Sequence, residues 1–427
     1  MKNYELDSHY DVIVVGSGPA GLGAAFKIAE NSNYSVLLLE KKKISSGGLR
    51  NDCKQNYTFP VGFPYEHWNK QSADVLLHEV ASHLNPKIEK RINVEKYINR
   101  AQKIGVEILS IDQAHVGTDK SSELIRSLIE KLEALHVKVS LQTEVKELSP
   151  DSKKLTLDNG YIITFNHLIL APGRADYDWL QEQMDRLGVS YCDNIVDIGV
   201  RIETKEENYP IVRDYYDPKI LLPNKVRTFC TNSGCAHIVR EKYKGYYSVN
   251  GHSLSKENER NNLVNFAMLK TIRLTQPVVS GQQFGKILGE MVMQLSGGSV
   301  IMQRVGDFRM GSRSKEETFN NDLYDFEPTL KSAVAGDLSL CMPAKILRDI
   351  WKALKMLDTI IPGVLHPSTI IYYPEIKTYS NKPQFIDEYF MVKEGYYIIG
   401  DGAGTSRGIT AAWASGIRAA NGILRSR

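Results

Sequence analysis

The stretch Asp11 to Glu40, DVIVVGSGPAGLGAAFKIAENSNYSVLLLE, leaves few folds open to this chain. It begins with Val12-Ile13-Val14-Val15, an apolar, β-branched run too short for a helix, which predicts a strand buried on both faces. Gly16, Gly18 and Gly21 follow at GxGxxG spacing, then a small-residue helix from Leu22 to Ala29 and a second apolar strand, Val36 to Leu39. Gly16 permits the tight turn out of the strand, Gly18 lets the backbone approach a pyrophosphate, and Gly21 lets the helix pack on the sheet. The helix N-terminus then offers free N–H groups to the phosphates. Glu40, 19 residues beyond Gly21, ends the second strand, where a carboxylate accepts from ribose hydroxyls. An acid there would repel a 2′-phosphate, so the motif fits FAD or NAD and not NADP.

The 427 residues allow two or three domains. Net charge is +3, from 53 basic and 50 acidic residues, too balanced to indicate nucleic acid or an anionic membrane, although a local basic face would escape such a count. No apolar run approaches the ~18 residues needed to span a bilayer. The opening MKNYELDSHYDV has no leader-like pattern, and the five cysteines, Cys53, Cys192, Cys230, Cys235 and Cys341, fit a reducing compartment. A cytoplasmic location is therefore expected. No HxxxH or paired CxxC pattern marks a metal site, and none is expected.

Two further segments share the strand-then-turn pattern. His167 to Ala171 is a short buried strand running into Pro172-Gly173-Arg174. Near the C-terminus, Tyr396 to Ile399 runs into Gly400-Asp401-Gly402-Ala403-Gly404 and a small-residue helix, about Ile409 to Leu424. Between Glu40 and the first of these lie helical periods at 73–84, 94–104 and 122–135, the last with Asp119 or Ser121 as its expected cap. Asp158-Asn159-Gly160 predicts a hairpin between strands 154–157 and 161–165, and Gly188 stops a helix over 176–187. From about Tyr191 short extended segments predominate, with helices expected at 282–295 and 343–357.

This order of motifs resembles the glutathione-reductase-like class of FAD-binding oxidoreductases. More narrowly it is similar to a family of bacterial and archaeal FAD-dependent dehydrogenases, the NAD(FAD)-utilising type, related to aminoacetone-oxidase-like flavoproteins. The likeness rests on GGLRND at 47–52, AHVGTD at 114–119, LILAPGR at 168–174, DIGVRIE at 197–203 and VRTFC at 226–230. It continues with VNGHS at 249–253, GDLSL at 336–340, PEIKTYS at 374–380 and GDGAGTSRGI at 400–409. The chain departs from the family pattern at Arg50 and around Cys230. The resemblance implies an α/β fold, a glutathione-reductase-type FAD/NAD(P)-binding Rossmann-like domain with an inserted β-rich α+β substrate domain. The expected division is 1–190 and 391–427 for the FAD domain and 191–390 for the insert.

The cofactor contacts expected are Gly16, Ser17, Gly18, Pro19, Ala20, Gly21, Glu40, Lys41, Gly47, Gly48, Leu49, Val145, Ala171, Pro172, Gly173, Gly400, Asp401, Gly402, Arg407, Gly408 and Ile409. Lys41 to Lys43 read equally as a solvated turn. His115, His252 and Arg313 are candidates for chemistry: His115 as a proton carrier or a helix-capping group, His252 and Arg313 as substrate contacts or surface polar groups. Arg201 and Glu203 are expected to pair within a sheet, and Cys230 and Cys235 to stay unlinked. The expected activity is FAD-dependent hydride transfer with a small-molecule substrate. Only one complete dinucleotide fingerprint is present, so NAD(P)H would visit transiently, or a second electron-transfer partner would serve. No membrane is expected, nor nucleic acid. An RNA-modifying flavoenzyme and a flavoprotein with structural FAD are the alternatives.

Overall fold

Strand β1 (His9–Val15) enters the middle of a sheet, and the chain returns through helix α1 (Pro19–Asn31) to β2 (Val36–Glu40), which pairs parallel to β1. This computed structural model describes residues 6–44, 49–50, 53–174, 176–193, 195–254, 260–275, 280–319, 324, 326–379 and 381–425. Helix α2 (Lys70–Leu84) follows, its N-cap Asn69 accepting from the Ser72 N–H in a reciprocal capping box. After helix α3 (Glu95–Lys103) come α4 (Ser121–Ala134), β3 (Lys138–Leu141), β4 (Val145–Ser149), β5 (Lys154–Leu157) and β6 (Ile162–Leu170). Helix α5 (Tyr177–Leu187) stops at Gly188, which takes the left-handed conformation.

The hairpin strand and the buried strand expected separately at 161–165 and 167–171 are one element. β6 pairs antiparallel with β5 at its start, while Thr164 to Leu170 run parallel to β1. Neither residue expected to cap α4 occupies its N-cap position. Lys120 occupies the N-cap without a side-chain bond, and the Ser121 hydroxyl donates to the carbonyls of Arg50 and Thr118.

The second half builds a mostly antiparallel sheet from β7 (Val196–Lys205), β8 (Val226–Asn232), β11 (Leu263–Ile272), β12 (Ile301–Arg304) and β13 (Ile370–Thr378), with a separate hairpin of β9 (Cys235–Tyr243) and β10 (Tyr246–Leu254). Helices α6 (Gly281–Leu295), α7 (Val305–Arg309) and α8 (Ala344–Ile360) belong to the same half. The chain then closes with β14 (Met391–Lys393), β15 (Tyr396–Ile398) and α9 (Ile409–Arg425). No helix among the described residues is long and apolar enough to cross a membrane.

Contacts divide the chain into residues 1–88, 112–194 and 379–427 as one unit, and 89–111 with 195–378 as the other. Residues 89–111, expected in the first domain, thus belong to the second. The reason is non-local: Glu107–Ile108 pairs antiparallel with Ile220–Leu222, and Tyr97, Ala101 and Val106 bury in that unit's core. Residues 379–390, expected in the insert, belong to the first unit, where Asn381–Pro383 pairs with Tyr191–Asp193.

In the first unit the strand order is β14-β15-β6-β1-β2-β3, with β15, β6, β1, β2 and β3 mutually parallel and β4 and β5 branching from β6. Val12, Val14 and Leu38 face a core with α1, α2, α4 and α9, while Ile13, Leu37 and Leu39 face a second with α5, β4 and β5. Both faces are covered, which is why these strands are apolar throughout. Helices α1 and α9 cross at two glycines. A Cβ on Gly23 would lie 2.4 Å from the Trp413 carbonyl oxygen, and one on Gly416 2.0 Å from that of Ala20.

In the second unit β7 alternates strictly. Val196, Ile198, Val200 and Ile202 enter the main core, and Asp197, Arg201 and Glu203 point to the other face, also fully buried. The expected Arg201–Glu203 pair does not form. Arg201 pairs with Glu375 through Nε at 2.7 Å and Nη2 at 2.9 Å, and Glu203 accepts instead from Tyr372 OH (2.6 Å) and Thr329 N (3.2 Å). Residues two apart on a strand share a face but lie too far along it for a bidentate contact, whereas a neighbouring strand brings Glu375 alongside.

Candidate functional site

The turns that end β1, β6 and β15 lie at the carboxyl edge of adjacent parallel strands, the position where open α/β sheets bind ligands. They interlock through backbone. Gly16 has φ +104°, and a Cβ there would lie 2.2 Å from the Ala171 carbonyl oxygen. A Cβ on Gly402 would lie 2.4 Å from the Gly173 carbonyl oxygen, and one on Gly21 1.8 Å from that of Gly16. These glycines are demanded by the protein's own packing.

Gly18 is different. It is the N-cap of α1, it makes no side-chain capping bond, and Pro19 follows at the first helical position. A Cβ on Gly18 would meet nothing within 4 Å. Packing therefore does not explain the missing side chain, but a phosphate lying against the backbone does. The residues present fit a dinucleotide here.

Glu40 is 6 % exposed, and its carboxylate is already engaged. Oε2 accepts from the Ser17 N–H (3.1 Å) and the Ser17 hydroxyl (2.6 Å), and Oε1 from the Lys42 N–H (2.9 Å). A carboxylate has about four acceptor sites, so about one is left for a ribose hydroxyl. Lys41 Nζ pairs with Asp176. Leu49 is fully buried among apolar side chains, and so is Val145, whose carbonyl accepts from Trp179 Nε1 at 3.3 Å. A ligand would meet Val145 through its main chain. Gly47 and Gly48 lie outside the described residues.

At the third turn Gly400 (φ +83°) donates its N–H to Thr405 Oγ1 at 2.8 Å. Asp401 accepts from Ser406 Oγ (2.9 Å) and the Gly408 N–H (3.0 Å), with Arg174 Nε 4.0 Å away. Burial pushes the Asp401 carboxyl up from its ordinary value, against the opposing pull of Arg174 and of these donors. Gly408 (φ +88°) leads into Ile409 at the start of α9. Arg407 sets its guanidinium 4.0 Å from the centre of the Tyr379 ring.

Three residues that hold this turn left no trace in local sequence pattern. Gly62 accepts the Arg407 N–H at 2.8 Å, Trp68 Nε1 donates to the Thr405 carbonyl at 2.7 Å, and Tyr379 lies under Arg407. All are distant from 400–409 in sequence, so only the fold brings them there.

The candidates for chemistry divide between the two units. His115 is half-buried in the first, just after Gln113–Ala114, which pairs with Gln55–Asn56. His252 is in the second, on β10, its ring 5.9 Å from that of His237. Arg313 is exposed in the loop after α7. Cys230 and Cys235 are not joined by a disulfide.

Two family models match the sequence. Residues 10–198 match the pyridine nucleotide-disulphide oxidoreductases, and residues 204–378 match an FAD-dependent protein, C-terminal domain-like family. No curated protein matches in sequence. Among solved structures, L-proline dehydrogenase from P. horikoshii aligns with a TM-score of 0.47 and 13% identity, over 99% of this chain and 95% of that one. L-amino acid deaminase from Proteus myxofaciens aligns with a TM-score of 0.46 and 14% identity, over 100% and 92%. Glycine oxidase from Geobacillus kaustophilus aligns with a TM-score of 0.42 and 12% identity, over 98% and 94%.

Proposed function

We propose that this chain, an FAD-dependent oxidoreductase, passes a hydride between a small organic substrate and N5 of the bound flavin. The finer placement, among the NAD(FAD)-utilising dehydrogenases of bacteria and archaea with a cytoplasmic location, is part of the same reading. The observation that carries it is the interlocking of the three turns at one sheet edge, through Gly16 with Ala171 and Gly402 with Gly173. A mononucleotide needs only the first turn, whereas the additional turns suit a longer ligand.

Bound FAD would supply a two-electron acceptor and donor. The chain's residues do the rest. The N–H groups opening α1 would hold the pyrophosphate, with Gly18 leaving room for it. Glu40, fixed by Ser17 and Lys42, would give its remaining acceptor site to the adenosine ribose. Asp401 would take ribityl hydroxyls with the acceptor capacity that Ser406 and Gly408 leave it. The positive end of α9, starting at Ile409, would favour negative charge on the flavin. His115 is assigned the proton that accompanies the hydride, and His252 and Arg313 contact with the substrate.

Purified protein should be yellow and release FAD on denaturation. Glu40→Arg should lose that colour, because a buried arginine would face the Ser17 and Lys42 donors with no acceptor. Photoreduced protein mixed with nicotinamides, quinones or oxygen should reoxidise with at least one of them. Colourless protein that takes up no FAD would overturn the cofactor, and flavin that never cycles would leave FAD structural.

A further inference from the structure

The near-neutral total charge hides an uneven distribution. On α8 the basic residues Lys345, Arg348, Lys352 and Lys355 recur at spacings of three, four and three, which sets them in one line down the helix, and all four are exposed. The acids of the same helix are turned to other work. Asp349 pairs with Lys270 at 2.8 Å and accepts from Asn224 Nδ2 at 2.9 Å. Asp358 Oδ1 accepts the N–H groups of Gly363 (3.1 Å) and Leu365 (2.9 Å). Helix α3 adds Lys96, Arg100 and Lys103, again three and four apart; Lys96 pairs with Asp214 at 3.3 Å, and Glu95 is exposed beside it. Arg100 Nη1 reaches the Ile360 carbonyl at 3.2 Å, which places α3 against the C-terminal end of α8.

Beside this basic line lies an apolar one. Leu347 and Trp351 are half-buried on the flank of α8 and share a hollow with Phe308 and Leu338. The Phe308 and Trp351 rings are 4.8 Å apart. Two residues beyond Phe308, Met310 is 81% exposed, and two beyond Leu338, Leu340 is 71% exposed. Exposed apolar side chains rimmed by charge suit an interaction surface.

We propose that this face of the second unit seats the protein on an anionic lipid surface. The lysines and arginines of α8 and α3 lie at the phosphate level, and Met310, Leu340 and the edge of Trp351 enter the boundary between headgroups and acyl chains. The charge is complementary to anionic headgroups, and the apolar residues choose between surfaces of the same sign. A nucleic acid would answer the lysines and leave Met310 and Leu340 in water, whereas a bilayer takes both. The attachment is peripheral and departs from the expectation drawn from bulk charge that no membrane is involved.

Flotation of the full-length, flavin-loaded protein tests this. Vesicles of phosphatidylcholine and phosphatidylglycerol in equal parts should carry the protein up, phosphatidylcholine vesicles should not, and raising the salt should release it. Exchanging Lys345, Arg348, Lys352 and Lys355 for Gln should weaken binding about fivefold per side chain, more than about a hundredfold together. Met310→Ser with Leu340→Ser should weaken it at unchanged charge. Flavin absorbance, read in the same fractions, reports an intact fold and tests the cofactor reading separately. Failure to float with anionic vesicles, or flotation indifferent to the four Gln exchanges, overturns the proposal. Salt-dependent RNA binding that needs the four bases but not Met310 and Leu340, without flotation, reassigns the face to nucleic acid and also overturns it.

Discussion

Ser17 donates twice to one oxygen of Glu40, through its N–H at 3.1 Å and its hydroxyl at 2.6 Å, in a site with no solvent access to Ser17. The variable position of a GxGxxG motif thus aims the acid at the end of the neighbouring strand. Ser17→Ala removes one hydrogen bond to a charged group, a contribution of about 1.5–3 kcal/mol. We expect FAD affinity to fall about tenfold or more, measured by calorimetric titration of apoprotein, with Ser17→Thr restoring it. Unchanged affinity in Ser17→Ala would mean that the main chain alone positions Glu40.

Gly416→Ala should damage stability and cofactor binding together. The new Cβ would lie 2.0 Å from the Ala20 carbonyl oxygen, a backbone atom that cannot swing away. Overpacking of this kind costs about 1–3 kcal/mol. Because Ala20 is in the first turn of α1, moving its carbonyl also moves the neighbouring N–H groups offered to the pyrophosphate. Denaturant unfolding and flavin content should both shift, and a shift in neither would show that α9 slides without strain.

Arg201→Met should be severe, because it leaves the fully buried Glu375 carboxylate without its bidentate partner, a loss of about 3–5 kcal/mol. The double change Arg201→Met with Glu375→Met should recover much of that. Thermal unfolding of the two variants separates a buried charge left with only Lys377 Nζ, 3.6 Å away, from lost volume. If the double variant is as unstable as the single one, the contacts of Arg201 with Asn265 and the Cys230 carbonyl matter more than its charge pair.

Burial lowers the imidazole pKa of both His67 and His167 from the ordinary histidine value; Lys382 and Arg418 add to this at His67, where Glu66 opposes it, and Lys153 adds to it at His167. The unfolded chain then binds protons more readily than the folded one over the interval below about pH 6.5. Stability should be flat above that value and decline as the pH falls from about 6.5 toward the folded pKa values. Unfolding temperature measured from pH 8 to 5 should show the decline, and His67→Gln with His167→Gln should flatten it. A parent curve that stays level would contradict the burial of neutral rings.

The first unit's cofactor edge was legible because its parts are local. Asp11 to Glu40 specify strand, turn, helix and strand within one short stretch, and each turn announces itself by glycine after an apolar run. The second unit was legible only as β-rich. Its order depends on pairings such as Glu107 with Leu221, which no local period encodes. The same limit hid Trp68 and Gly62 behind the third turn, and led Arg201 to be assigned to its nearest acid, Glu203, instead of to Glu375. On α8 the spacing of the basic residues was in the sequence all along, but which acids would be drawn inward by Lys270 and by the Gly363 turn was not.

β6 sits at the centre of the first unit, with β1 on one side and β15 on the other. Its first neighbour is made before residues 195–378 and its second after them. The nascent chain must therefore carry a sheet with one open flank, and no α9 beneath α1, through synthesis of residues 195–378. Chaperone dependence during translation should follow from that interval, and a permuted gene that encodes residues 391–425 ahead of β1 should shorten it.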